Sequence, residues 1–158
     1  MKRALLLAFL SVAGPLFGGS YPQTGPYAKW SVRTVTITSL QVLALDTVPF
    51  PLTPALGADC MQTIFAMTLR KPAGTAYADI AAGDNLVIET TTAVAQETIE
   101  PTGFLDQATE QSIAIRAATA VRTGTSFNLP IQVRLLGPIT TGTSPLHLTY
   151  VYYQDCAS

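Results

Sequence analysis

Apolar and polar residues alternate along much of the chain, in short stretches separated by glycine, proline and asparagine. From Ser31 to Thr38, Arg33, Val35 and Ile37 fall on one side and Thr34, Thr36 and Thr38 on the other, which predicts a half-buried strand. Met61 to Leu69 repeats the period, placing Met61, Thr63, Phe65, Met67 and Leu69 on one face and Gln62, Thr68 and Arg70 opposite. Leu86–Thr90 is launched by the turn signal Gly83-Asp84-Asn85, and Val94–Ile99 is its expected partner. Ile113 and Ile115 mark a further strand, and Ile131, Val133 and Leu135 alternate with Gln132 and Arg134. The final run sets Leu146, Leu148, Tyr150 and Tyr152 against His147, Thr149, Val151 and Tyr153.

Between these strands the pattern is weaker. Ser39–Leu45 fits a single helical turn capped by Ser39. Asp46–Thr53 returns to extended chain, and Pro49, Pro51 and Pro54 confine it to a sheet edge. Phe104–Glu110 reads as a short helix or a corner. About eight short strands with Gly/Pro turns and no long amphipathic helix predict an all-β fold. The expected form is an antiparallel β-sandwich or jelly roll with one or two short helical turns and an extended N-terminal arm. The domain spans residues 31–158, and residues 1–30 form an apolar segment and arm.

That first segment has two readings. Met1-Lys2-Arg3 precedes an apolar run from Ala4 to Ala13, like the charged and apolar regions of a secretory signal, and Ser11-Val12-Ala13 suits a cleavage site. Alternatively the run is an arm that packs on a neighbouring subunit. It is too short to cross a bilayer, which takes about 20 apolar residues. Downstream, Gly18-Gly19-Ser20 and Tyr21-Pro22-Gln23-Thr24-Gly25-Pro26 favour extended chain, on which Tyr21, Tyr27 and Trp30 are candidate interface anchors.

Composition narrows the function classes. Charged residues are 12% of the chain, net charge is −1 and mean hydropathy is +0.33; such a chain is neither disordered nor a general nucleic-acid binder, since no basic run could neutralise a row of phosphates. Cys60 and Cys156 are the only cysteines and the candidate disulfide. Pairing would close a loop of about 97 residues, worth roughly 4–5 kcal/mol by chain entropy; the alternative is two partly buried thiols. Two cysteines and one histidine do not make a zinc site, so no metal and no cofactor is expected.

Catalytic patterns are thin. His147 lies mid-strand, and no serine sits in a nucleophile elbow, so a structural or surface role is expected for it. The acids cluster beside turns, where carboxylates cap backbone amides. Asp79, Asp84 and Asn85 do not match the spacing of a calcium loop. A non-enzymatic protein is expected.

Four stretches carry a resemblance. Thr38-Ser39-Leu40-Gln41-Val42-Leu43-Ala44-Leu45 is similar to an "ITSAxLLAL" opening, followed by the loop Pro54-Ala55-Leu56-Gly57-Ala58. Thr75-Ala76-Tyr77-Ala78 with Gly83-Asp84-Asn85-Leu86-Val87-Ile88 resembles a "TAY…GGDNLxI" strand pair, and Thr102-Gly103-Phe104-Leu105-Asp106 resembles a "TGFLDATAD" corner. Pro145–Tyr153 resembles a closing "SPLxVxVYYRV" strand. In this order, over residues 36–154, they resemble small structural proteins of tailed bacteriophages. The apolar N-terminus and both cysteines lie outside the motifs. By analogy with capsid decoration, or cement, proteins, the resemblance implies a virion protein that binds and stabilises the major capsid protein lattice and associates with itself as a dimer or trimer. The alternative is an exported, disulfide-linked β-sandwich binding module for a glycan or surface partner, secreted or periplasmic.

Overall fold

The computed structural model describes residues 29–92, 95–116 and 128–156. Tyr21, Tyr27 and the possible signal over residues 1–13 lie outside them. Eight strands and one short helix follow in the order β1 (Lys29–Ile37), α1 (Ser39–Leu43), β2 (Phe50–Pro51), β3 (Cys60–Lys71), β4 (Leu86–Thr90), β5 (Ala95–Ile99), β6 (Gln111–Arg116), β7 (Ile131–Leu135) and β8 (Leu146–Cys156). They make two four-stranded sheets, β1-β8-β3-β6 and β2-β7-β4-β5. The pairs β1–β8, β2–β7, β3–β6 and β4–β5 are all antiparallel. The chain is therefore one antiparallel ribbon folded across two layers, which is the jelly-roll form of the β-sandwich.

Alternation dictates what lies between the layers. Leu146, Leu148, Tyr150 and Tyr152 of β8 are buried, as their spacing predicts, and pack with Ile37, Met67, Leu69, Leu86, Ile88, Ile131, Val133 and Leu135. The connecting segments close the sandwich ends with Leu45, Leu52, Tyr77, Phe104, Leu105 and Ile139. The resembling motifs sit largely here. Tyr77 donates to the Ser144 carbonyl at 2.6 Å, and burial pushes its phenol up to about 12. Gly142, at φ +91°, lies so close to that ring that a Cβ would meet it at 2.2 Å, so only glycine fits.

Three local expectations are corrected and one open alternative is decided. The cap of α1 is Thr38, not Ser39: its Oγ1 accepts from Gln41 N at 3.3 Å, and Gln41 Oε1 accepts from Thr38 N at 2.9 Å. The strand runs straight into this capping box, so the switch to helix comes one residue earlier. Of the two readings of the Phe104 segment the structure has the corner, with Phe104 N and Leu105 N both donating to the Pro101 carbonyl. Trp30 belongs to β1 opposite Tyr153, not to an arm, because the ladder with β8 continues to Lys29. Finally, β3 changes phase: its register with β8 shifts between Ile64 and Ala66, a β-bulge. Before the bulge Gln62 and Ile64 point inward; after it, Met67, Leu69 and Lys71 do. Phe65, expected beside Met67, is turned out to 60% exposure.

Two buried polar side chains of β3 are held by backbone carbonyls. Gln62 Nε2 donates to the carbonyls of Pro54 and Leu129 at 2.6 and 3.0 Å. Lys71 is fully buried, its ammonium donating to the Gln107 carbonyl at 2.6 Å and lying 3.4 and 3.5 Å from those of Thr109 and Pro72. Burial pushes that ammonium below its ordinary pKa, against the opposing pull of Asp106. It pins the end of β3 to the corner before β6.

Candidate functional site

The outer face of the β1-β8-β3-β6 sheet gathers three exposed large apolar side chains, Trp30, Val32 and Phe65, while Leu40, Val48 and Leu136 are exposed elsewhere. Register places them in rows. Trp30, Tyr153 and Thr63 form one row. Val32, Val151, Ala66 and Arg116 form the next, followed by Thr34, Thr149, Thr68 and Ala114. Thr36, His147, Arg70 and Ser112 form the last. The face thus grades from an aromatic, aliphatic end through a threonine ladder to a polar end.

At the apolar end Trp30 is 46%, Val32 64% and Phe65 60% exposed. The Trp30 ring lies 4.9 Å from that of Tyr153 and reaches across β8 to meet Phe65 edge-on at 5.3 Å. Three strands therefore contribute to one aromatic cluster. Its interplanar angles of 50° and 88° give a rough, knobbed surface, not the coplanar platform that stacks on a flat sugar ring. Rigid aromatics of this kind, apolar yet partly wet, are the residue types enriched at protein interfaces.

The cluster is braced from the end of the sheet. Cys60 and Cys156 oppose each other in the β3–β8 register, three pairs from Thr63 and Tyr153, and are joined by a disulfide. Toward the polar end, Thr34 Oγ1 and Thr149 Oγ1 are 3.0 Å apart, and Thr36 Oγ1 lies 3.0 Å from His147 Nδ1. His147 thus belongs to a cross-strand polar ladder. Arg70 and Glu110 form a two-pronged ion pair at 2.8 and 3.0 Å, and their mutual hydrogen bonding and charge hold the guanidinium above and the carboxyl below their ordinary ranges. Both side chains are about half exposed, so the pair contributes little to stability.

Sequence reasoning singled out Trp30 but missed Val32 and Phe65. The signal for Phe65 was the unbroken apolar run Ile64-Phe65-Ala66-Met67, which strict alternation cannot bury on one face. The acids behave as turn groups: Asp84 Oδ2 accepts from Ala81 N at 2.7 Å, Asp106 Oδ1 from Gly103 N at 2.6 Å, and Asp79 from the Thr140 hydroxyl. Among the described residues no three His, Cys, Asp or Glu side chains converge as metal ligands, and no helix is long and apolar enough to cross a membrane.

No family model and no curated protein matches the chain. Among solved structures it is similar to a chain of the cyanophage Pam1 capsid asymmetric unit, at 13% identity and a TM-score of 0.43, over 97% of this chain and 99% of that one.

Proposed function

We propose that the protein is a non-enzymatic virion component of decoration type, which binds the major capsid protein lattice through the outer face of its β1-β8-β3-β6 sheet. The exposed patch of Trp30, Val32 and Phe65 carries the reading. Contiguous apolar surface on a stable fold marks a place where another protein sits. The resembling motifs agree in a particular way. Tyr77, Phe104 and Leu105, which anchor two of them, are buried framework residues, so these motifs bear on the jelly roll, and Trp30, Val32 and Phe65 lie outside all four. A jelly roll serves viral shells and lectins alike, so the fold does not choose between them. The uneven tilt of the three rings favours a protein partner over a sugar. Many copies on a symmetric shell would add avidity to a modest contact.

The test is mass spectrometry of density-purified particles, followed by rebinding of the protein to shells stripped of it. Recovery at a fixed ratio to the capsid protein, with rebinding lost in Trp30→Ala/Phe65→Ala, is the expected result. Absence from the particles overturns the reading.

The Cys60–Cys156 disulfide favours a second reading, an exported binding module, because such bonds persist in oxidising compartments. Intact mass of the native protein decides. A chain shortened near Ala13 and short of two hydrogens supports export, whereas residues 1–20 retained in particles support the virion.

A further inference from the structure

The two sheets have four edge strands, β1, β6, β2 and β5, and they are unequally protected. β2 is two residues long and contains Pro51, which offers no backbone donor. β5 has five residues, with a register irregularity against β4 between Ile88 and Glu89. β6 has six residues, and the Arg70–Glu110 ion pair stands at its start. β1 differs from all three. It runs nine residues in unbroken register with β8, with no proline and no bulge, and Val32 near its middle is 64% exposed. Proteins ordinarily blunt such an edge, because its alternate N–H and C=O groups are a template for another strand.

We infer that β1 is the self-association edge: two copies pair their β1 strands antiparallel about a two-fold axis at Val32, joining two four-stranded sheets into one of eight. The sequence of the strand selects this partner and register. A two-fold axis normal to the sheet keeps the outer face outward in both copies, so residues of like parity oppose each other. Centred on Arg33, the pairing sets two guanidinium groups directly opposite, which is repulsive. Centred on Thr34, it sets Trp30 against Thr38, beyond the strand, and Val32 against Thr36. Centred on Val32, it places Val32 against Val32 of the second copy, Trp30 against Thr34, Ser31 against Arg33, and Lys29 against Val35. No like charges then stand directly opposite each other. The Val32, Val151 and Ala66 row becomes continuous with its counterpart across the axis, and each Trp30–Tyr153 row abuts the Thr34–Thr149 row of the second copy.

This deepens the shell-binding reading by naming the form in which the face is presented. Its test is sedimentation velocity on the full-length, disulfide-intact protein. The expected species is a dimer of twice 16.7 kDa. Val32→Lys, which brings like charges together at the axis, raises the dimer dissociation constant at least about 100-fold with an unchanged circular dichroism melt. Val32→Cys forms an intermolecular disulfide on mild oxidation, and Thr34→Cys, facing Trp30, does not. A monomeric wild-type protein, or a Val32→Lys variant that still dimerises, overturns the inference; cross-linking at 34 and not at 32 overturns the register. A dimer that fails to bind stripped shells sinks the shell-binding reading alone.

Discussion

The outer faces of the two sheets are built from the same alternation and have opposite fates. On β2-β7-β4-β5, Val87 and Glu89 point away from the core and yet are only 4% and 3% exposed. Glu89 accepts from Gln132 Nε2 at 3.2 Å and lies 3.0 Å from Arg134 Nε, an ion pair without hydrogen-bond geometry, so β4 and β7 place opposite charges together. On β1-β8-β3-β6, the aromatic cluster and Val32 remain open to solvent. Removing one partner of a buried ion pair destabilises the fold, whereas an exposed tryptophan–phenylalanine pair contributes mainly when something covers it. Substitutions on the second sheet should therefore act on folding, and those on the first on binding.

The largest expected effect would blur that contrast. Cys60→Ser/Cys156→Ser frees the sheet end beside Tyr153 and lowers unfolding free energy by roughly 4–5 kcal/mol at most, since a loop of about 97 residues opens. Denaturant titration measures the loss, and rising Trp30 mobility in fluorescence anisotropy shows the apolar cluster loosening with it. Next, Glu89→Leu leaves the one-third-exposed Arg134 without its carboxylate. That should cost about 2–3 kcal/mol, below the 3–5 of fully buried pairs because water still reaches the guanidinium. Partner binding at temperatures where the fold survives is unchanged. If Glu89→Leu instead leaves the midpoint unmoved, the polar contact on the second sheet has no stabilising role.

Alkaline titration probes the framework shared by both faces. Tyr77 is raised to about 12 by burial, so between pH 10 and 12 the folded chain keeps a proton that the unfolded chain has lost. Stability is fully present below pH 10 and falls by roughly 2–3 kcal/mol as pH passes 12. Tyrosinate absorbance should show late titration together with unfolding, to which Tyr150, also raised by burial, adds its part, and Tyr77→Phe should remove only the Tyr77 share. Smallest in stability is the pair Trp30→Ala and Phe65→Ala. Each should move the thermal midpoint little, by under about 1 kcal/mol, because the rings contact mainly one another. Their effect should appear in association, as a large loss with either variant. An equal loss of stability for Phe65→Ala and Glu89→Leu would erase the distinction between the faces.

Much of this was legible in the chain. The alternation of β8 predicted its buried and exposed sides residue by residue, the prolines near Phe50 predicted an edge strand, and Asp84 was read as a turn group. Phase and partner were not legible. Whether a long strand such as β3 keeps its parity depends on where its neighbour's ladder stops matching it, and no local pattern records that. The same holds for Lys71, which looks like a strand-ending surface lysine until the corner carbonyls of Gln107 and Thr109 are brought onto its ammonium. Trp30 was identified as an anchor but assigned to the wrong element, because glycine and proline just upstream suggested that extended chain continued.

By itself the sequence determined an all-β sandwich, because period-two alternation bounded by turn residues admits few other ways to bury one side of every strand. The tertiary structure decided three further things. It set the jelly-roll order of the strands, it turned Phe65 outward at the bulge, and it brought Trp30, Tyr153 and Phe65 from three strands into one cluster. Each depends on pairing between residues far apart in the chain, and such pairing is fixed only when the sheets close over a common core.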